Sequence, residues 1–290
     1  MSLIIPKKEI LYAPMLGTLG GGSARGFGRG GGEIPTGEAV FTTVANADGS
    51  SNGITWSIPE GVKTISFVTV GGGGGRYSSG GGGGALSYKN NIDVSSISSI
   101  LVYVGQSGGY NSVGGQSYVR VNGVNYAISN GGHKGVCAGC GTPNGYTRAT
   151  FSNADGGGEG GLGGSGGSGA GGGAGGYSGN GGNVNSAGAG GGGGGGYQGG
   201  YGSGGGVGLY GEGASGAAGT SSSSEGKGGS GGSDGAVYPA YGSGPGANNG
   251  NYQGQNGTGN GAVRIVWGKN RSFPSTNVDL ASSNNNVTTY

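Results

Sequence analysis

Hydrophobic positions in this chain fall into short alternating runs, of which the sharpest is Tyr118 to Ser129, YVRVNGVNYAIS. Val119 and Val121 lead into Asn122-Gly123, and Val124, Tyr126 and Ile128 lead out of it. Alternation with period two marks a half-buried strand. Asn-Gly between two such strands predicts a type I′ hairpin, because both central residues need positive φ. Val62 to Val70 and Ser99 to Val104 (SILVYV) are rich in β-branched residues, so the signal from Val40 to Ile128 is β. Another apolar run, AVRIVW at Ala262 to Trp267, stands alone near the far end of the chain. A single strand cannot bury itself or satisfy its own backbone, so this one must return to the earlier sheet.

Between these strands the period changes. From Glu159 the chain reads EGGLGGSGGSGAGGGAGGYSGNGGN, with a variable residue at about every third position and glycine at nearly all others. A polyproline II helix has three residues per turn and no internal hydrogen bonds, so its N–H and C=O groups can pair with neighbouring helices where no Cβ blocks the approach. The repeat predicts a bundle of polyglycine II helices, with Leu162, Ser165, Ser168, Ala174, Tyr177 and Asn180 on an outward face. Gly71 to Leu86, GGGGGRYSSGGGGGAL, follows the strand-like KTISFVTV. It predicts an outgoing and a returning glycine helix joined by a turn at Arg76 to Ser79, hydrogen-bonded to the later block. The competing reading is a flexible Gly/Ser linker, which has no reason to keep phase. An ordered block must recover the extra folding entropy of glycine through dense hydrogen bonding.

The expected architecture is therefore all-β with almost no α-helix: a small antiparallel β-sandwich carrying an inserted polyglycine II bundle. Residues 1–37 show neither period and form an extended arm, either a docking segment or a frayed terminus. Residues 38–150 and 261–268 form the sandwich, 151–260 the glycine block and 269–290 a tail.

Composition sharpens this picture. Of 290 residues 87 are glycine and 9% are charged, which matches neither an ordinary globular domain nor a charge-expanded disordered chain. A net charge of +2 gives no electrostatic case for nucleic acid, which requires clustered Lys and Arg. No apolar run is long enough to span a bilayer as a helix, and MSLIIPKKEILYAPML lacks the unbroken apolar core of a signal peptide.

Candidate chemistry is sparse. Gly-x-Gly-x-x-Gly matches follow from composition, and EGKGG at Glu225 to Gly229 has Gly228 where a phosphate-binding loop needs Ser or Thr. His133, Cys137 and Cys140 are three soft ligands without a fourth, so a strained disulfide or two inert thiols compete with a metal site. ARGFGRGGG at Ala24 to Gly32 carries two cations, too few for strong phosphate affinity. No paired carboxylates or histidine-centred triad can be assembled, and neither an enzyme nor a cofactor is expected. The block's tyrosines, Tyr177, Tyr197, Tyr201, Tyr210, Tyr238, Tyr241 and Tyr252, are large amphipathic groups on a surface poor in side chains. They suit contact loops, or they wedge between helices and fill the junction with the sheet.

WSIPEGVKTISFVTVGGGGG, the returning GAVRIVWG and the glycine block between them resemble the glycine-rich domain of bacteriophage tail-fibre and adhesin proteins. EILYAPMLGTLGGGSARGFGRG and RSFPSTNV (Arg271 to Val278) resemble segments of virion structural proteins from tailed phages of marine bacteria. The resemblance implies a homo-oligomeric fibre or tip protein on the virion exterior, attached to other virion proteins through the arm. Its distal loops would read a glycan or outer-membrane protein of the host, with Tyr177, Asn180, Tyr197, Tyr201, Tyr210, Tyr238 and Tyr241 as candidate reading residues. A capsid decoration protein and a self-assembling extracellular filament are the alternatives. An ice-binding protein fits less well, because that function wants a flat face of small residues.

Overall fold

The computed structural model describes residues 36–44, 53–77, 79–135, 147–164, 169–197, 199, 202–221, 225–235, 237, 240–246, 259–275 and, as backbone, 287–289. Among these residues eleven strands are present: β1 (Gly37–Phe41), β2 (Ile54–Ser57), β3 (Thr64–Val70), β4 (Leu86–Asp93), β5 (Ser99–Tyr103), β6 (Ser117–Val121), β7 (Val124–Ser129), β8 (Phe151–Ser152), β9 (Gly156–Gly158), β10 (Ala262–Trp267) and β11 (Val287–Thr289). They form a six-stranded sheet, β11-β1-β10-β3-β4-β9, and a five-stranded sheet, β2-β5-β6-β7-β8. All pairings are antiparallel except β1 with β11. Among the described residues there is no α-helix. The Asn-Gly hairpin forms as expected, with Val121 opposite Val124, Asn122 at φ 48° and Gly123 at φ 80°.

The lone strand AVRIVW does return: β10 lies between β1 and β3 in the middle of the larger sheet, and all six of its residues are buried. Its alternation explains why it is apolar on both sides. Val263, Ile265 and Trp267 join Phe41, Ile65 and Phe67 against Trp56, Val102 and Val119 of the smaller sheet. Ala262 and Val266 face the opposite way, with Val40, Val68, Val70 and Leu86, and meet Ala174, Tyr177, Val207, Leu209 and Phe273. The described residues thus form three layers, with the glycine block covering the outer face of the six-stranded sheet. A strand buried on both faces reads as a continuous hydrophobic run. At one end of the sandwich the core narrows to hydroxyls: Thr69 Oγ1 donates to the Ala127 carbonyl at 2.6 Å, and the Ser129 hydroxyl lies 2.8 Å from those of Thr69 and Ser87.

The glycine layer is held by backbone pairing between separate runs. In the outgoing run Gly71 and Gly74 donate to Ala85 and Gly82, Gly72 and Gly75 donate to Gly115 and Ser112, and Gly73 donates to Gly259. In the returning run Gly81 and Gly84 donate to Pro245 and Gly242, Gly82 and Ala85 donate to His133 and Asn130, and Gly83 donates to Gly161. Amides three residues apart therefore address the same neighbour, and the amides between them address others. That is the hydrogen-bond signature of a threefold helix packed on several sides. The pattern continues in the later block, where Gly172 and Gly175 donate to Gly81 and Gly84, and Gly171 and Ala174 donate to Gly202 and Gly205. Close packing enforces the composition: a Cβ on Gly83 would lie 2.0 Å from the Gly173 carbonyl oxygen.

The sequence-based boundaries need adjustment at both ends of the sandwich. β8 and β9 extend it to Gly158, and the region assigned to the tail supplies β11 and two buried residues, Arg271 and Phe273. Residues 1–35, the bulk of the expected arm, lie outside the described residues.

Candidate functional site

The glycine layer ends in side chains where its first hairpin turns. The outgoing run delivers Arg76 and Tyr77, and the chain reverses with Tyr77 N donating to the Ser79 carbonyl at 3.1 Å. The β5–β6 connection comes alongside through Gly75 N to Ser112 O (2.8 Å), Gly108 N to Gly73 O (2.8 Å) and Asn111 N to Arg76 O (2.8 Å). Its tip is a tight turn, with Ser112 N bonded to the Gly109 carbonyl at 3.1 Å and Asn111 at φ 59°. Asn tolerates that left-handed conformation better than other side-chain-bearing residues. The two tips together place Tyr77 and Tyr110 with ring centroids 5.5 Å apart and planes inclined at 55°. Tyr110 is 69% exposed, Tyr77 36% and the neighbouring Val113 56%. These apolar groups face solvent from a backbone fixed by hydrogen bonds. A sequence signal existed in the RY and GYN flanked by glycine, outside the 151–260 block whose tyrosines were the expected contact residues.

The block's candidate residues have other surroundings. Tyr177 is a correction: it is fully buried, stacked on Phe273 at 6.1 Å and 12° and tilted against Tyr88 at 6.2 Å. Its hydroxyl donates to the Gly208 carbonyl at 3.1 Å and accepts from Gly211 N at 3.1 Å, and burial pushes its acidity far below that of a free phenol. Ala174 is likewise buried, so these period-three positions face the sheet and not the solvent. Asn180 is exposed, but its Oδ1 accepts from Glu159 N at 2.9 Å and so caps the edge of the lattice. Tyr197 and Tyr241 are half-buried, the latter against the second core. Tyr210 is 38% exposed and covers the Arg264 guanidinium at 4.4 Å from its ring centroid. Tyr201, Tyr238 and Tyr252 lie outside the described residues.

His133 is exposed, with Nε2 2.8 Å from Thr147 Oγ1, and its backbone carbonyl accepts a lattice bond from Gly82. Cys137 and Cys140 lie outside the described residues, among which no group of three metal-ligating side chains occurs.

The strongest electrostatic feature is internal. Glu38 on β1 takes Arg264 of β10 and Arg271 beyond it on one oxygen, Oε2, with Arg271 Nη2 at 2.7 Å. Side-chain exposure is 0% for Arg264, 1% for Arg271 and 2% for Glu38. Arg264 also donates to the Leu209 carbonyl at 3.1 Å, so the cluster joins the sheet, the tail and the glycine layer. Burial lowers the Arg271 pKa, partly opposed by its hydrogen bond to Glu38. Arg264 was visible as the one charge inside AVRIVW; its carboxylate partner, 226 residues away, was not.

The outer face of the smaller sheet carries a second aromatic pair, Tyr103 and Tyr118, stacked at 4.3 Å with Arg120 over both rings. Here the rings cover one another and offer less free face than the tilted pair at the tip. No protein-family model matches the chain, and neither does any curated protein sequence.

Proposed function

We propose that the chain is a structural protein of a phage virion, a tail-fibre or tip adhesin that presents glycine-layer loops to a receptor on the host surface. The observation that carries this reading is the exposed Tyr77–Tyr110 pair on a hydrogen-bonded tip. A rigid base lowers the entropy lost on binding, and exposed tyrosines add contact area at low further cost. The resemblance of EILYAPMLGTLGGGSARGFGRG and RSFPSTNV to virion segments supports the assignment to a particle. In this reading the arm at 1–37 is the attachment segment, and other virion proteins and further copies of the chain are its partners.

The test is to raise antibodies against the purified chain and image particles from a phage that encodes it. Gold at the fibre or tail tip, with antibody blocking adsorption to cells, is the expected result. Labelling of the capsid alone would make it a decoration protein, and absence from particles would end the virion reading.

A further inference from the structure

We infer that the Tyr77–Tyr110 tip binds a saccharide, a pyranose unit of a cell-surface polysaccharide, by stacking it on the tyrosine rings; this rests on the adhesin reading and names the chemistry of its receptor. A pyranose has one face of C–H groups and a rim of hydroxyls. The C–H face suits the electron-rich face of an aromatic ring, and the hydroxyls need polar neighbours. The tip has both. The 55° inclination leaves the ring faces only partly covered by each other, and Asn111 and Ser112 are exposed beside Tyr110. Val113, the next residue along the chain, is exposed as well.

Size decides between a sugar and a protein. A stable protein interface buries about 800 Å² on each partner, which, among the described residues, the three exposed apolar side chains of two narrow turns do not supply. One or two sugar rings need no more. Charge narrows the ligand further: Arg76 stands at the tip, and neither 76–80 (RYSSG) nor 105–116 (GQSGGYNSVGGQ) contains a carboxylate. An acidic sugar is therefore favoured over a neutral one, and the preference fades with salt. A single shallow site of this kind binds weakly, and several copies on one particle multiply it.

The experiment uses the full chain and outer-membrane vesicles from the strain that adsorbs the particles. One vesicle sample is treated with periodate, which cleaves vicinal diols, and another with protease. Periodate is expected to abolish binding and protease to leave it. Tyr77→Ala and Tyr110→Ala should each weaken binding about tenfold or more, while Tyr110→Phe, which keeps the ring, should stay within about twofold. Both tyrosines are exposed, so the urea midpoints of the variants should match the parent. Binding that survives periodate and is lost to protease would overturn the saccharide and leave an adhesin for an outer-membrane protein. Alanine variants that bind like the parent would remove the site from this tip. Failure to bind untreated vesicles would overturn both readings.

Discussion

Replacing Glu38 by Gln tests what holds the three layers in register. The carboxylate sits between two guanidinium groups, all three with 2% side-chain exposure or less. The amide keeps the shape and removes the only negative charge in the cluster, leaving two buried cations facing each other. Breaking a buried ion pair from one side costs about 3–5 kcal/mol, a large part of the roughly 5–15 kcal/mol that stabilises a domain. Removing all the charge is different: Glu38→Leu with Arg264→Met and Arg271→Met exchanges the ionic cluster for apolar packing, which is often neutral or stabilising. The triple variant should therefore recover at least about 2 kcal/mol of the single variant's loss, short of full recovery because the Leu209 carbonyl loses its donor. Equilibrium urea unfolding followed by tryptophan fluorescence suits the question, since Trp56 and Trp267 lie 5.5 Å apart in the first core. A loss below about 1 kcal/mol for Glu38→Gln, with the m-value unchanged, would refute the buried-charge argument.

Gly83→Ala places a methyl 2.0 Å from the Gly173 carbonyl oxygen and should cost about 1–3 kcal/mol, whereas Gly109→Ala meets nothing within 4 Å and should stay within about 0.5 kcal/mol; equal midpoints for the two would argue against a packed lattice. Tyr177→Phe keeps the ring and loses the bonds to Gly208 and Gly211, for about 1–3 kcal/mol, while Tyr177→Ala should cost about 3–5. Urea midpoints separate the two terms, and an alanine variant as stable as the parent would contradict the wedge role of this ring. Burial acts to raise the Asp155 pKa, but hydrogen bonds from Lys89 and the Asn90 amide outweigh it, so the native value lies below 3.8. Its stabilisation is full above 3.8 and is lost as pH falls through the lowered native value. With the carboxylate 37% exposed and solvent-screened, the contribution is below about 1 kcal/mol. Asp155→Asn should flatten the acid limb of the stability curve by that amount, and an unchanged limb would remove the ion pair from the account.

What was legible in the sequence was whatever a single period encodes. Alternation gave the β6–β7 hairpin, and β-branched runs gave β3 and β5. The isolation of AVRIVW required its return, because one strand cannot satisfy its own backbone. The phase of three gave the glycine pairing, since only a threefold helix repeats its partners at that interval. The orientation of each run was not legible. A polyglycine helix presents three equivalent faces, and what lies beside it decides which turns inward. Tyr177 and Ala174 occupy the variable phase expected to face outward, but that phase meets the second face of the six-stranded sheet. A β-sandwich alone would have left this face wet, so nothing local marked these residues as core. The partners of Arg264 were hidden for a related reason. Glu38 sits at the border of the expected arm and Arg271 in the expected tail, far apart in sequence and joined only by the antiparallel pairing of β1 with β10.

The glycine layer also explains why the exposed tyrosine pair sits where it does. An ordinary core positions a loop through interlocking side chains, so a change at the loop propagates into packing. Here the runs beneath the tip are held by main-chain N–H and C=O groups, from Gly72 through Gly75 and Gly81 through Gly84, and the side chains that anchor the layer lie on the sheet side, at Ala174, Tyr177, Val207 and Leu209. Tyr77 and Tyr110 pack on each other and are exposed, whereas those anchors are buried. Stability and surface chemistry therefore rest on separate atoms: the backbone lattice fixes the position of the tip, and the exposed side chains are left to set its chemistry. Substitutions at Tyr77, Tyr110 and Val113 should leave the unfolding free energy from urea titration within about 0.5 kcal/mol of the parent, while the proposed binding changes widely. A single tip substitution that lowers both together would show that the lattice does not insulate its turns.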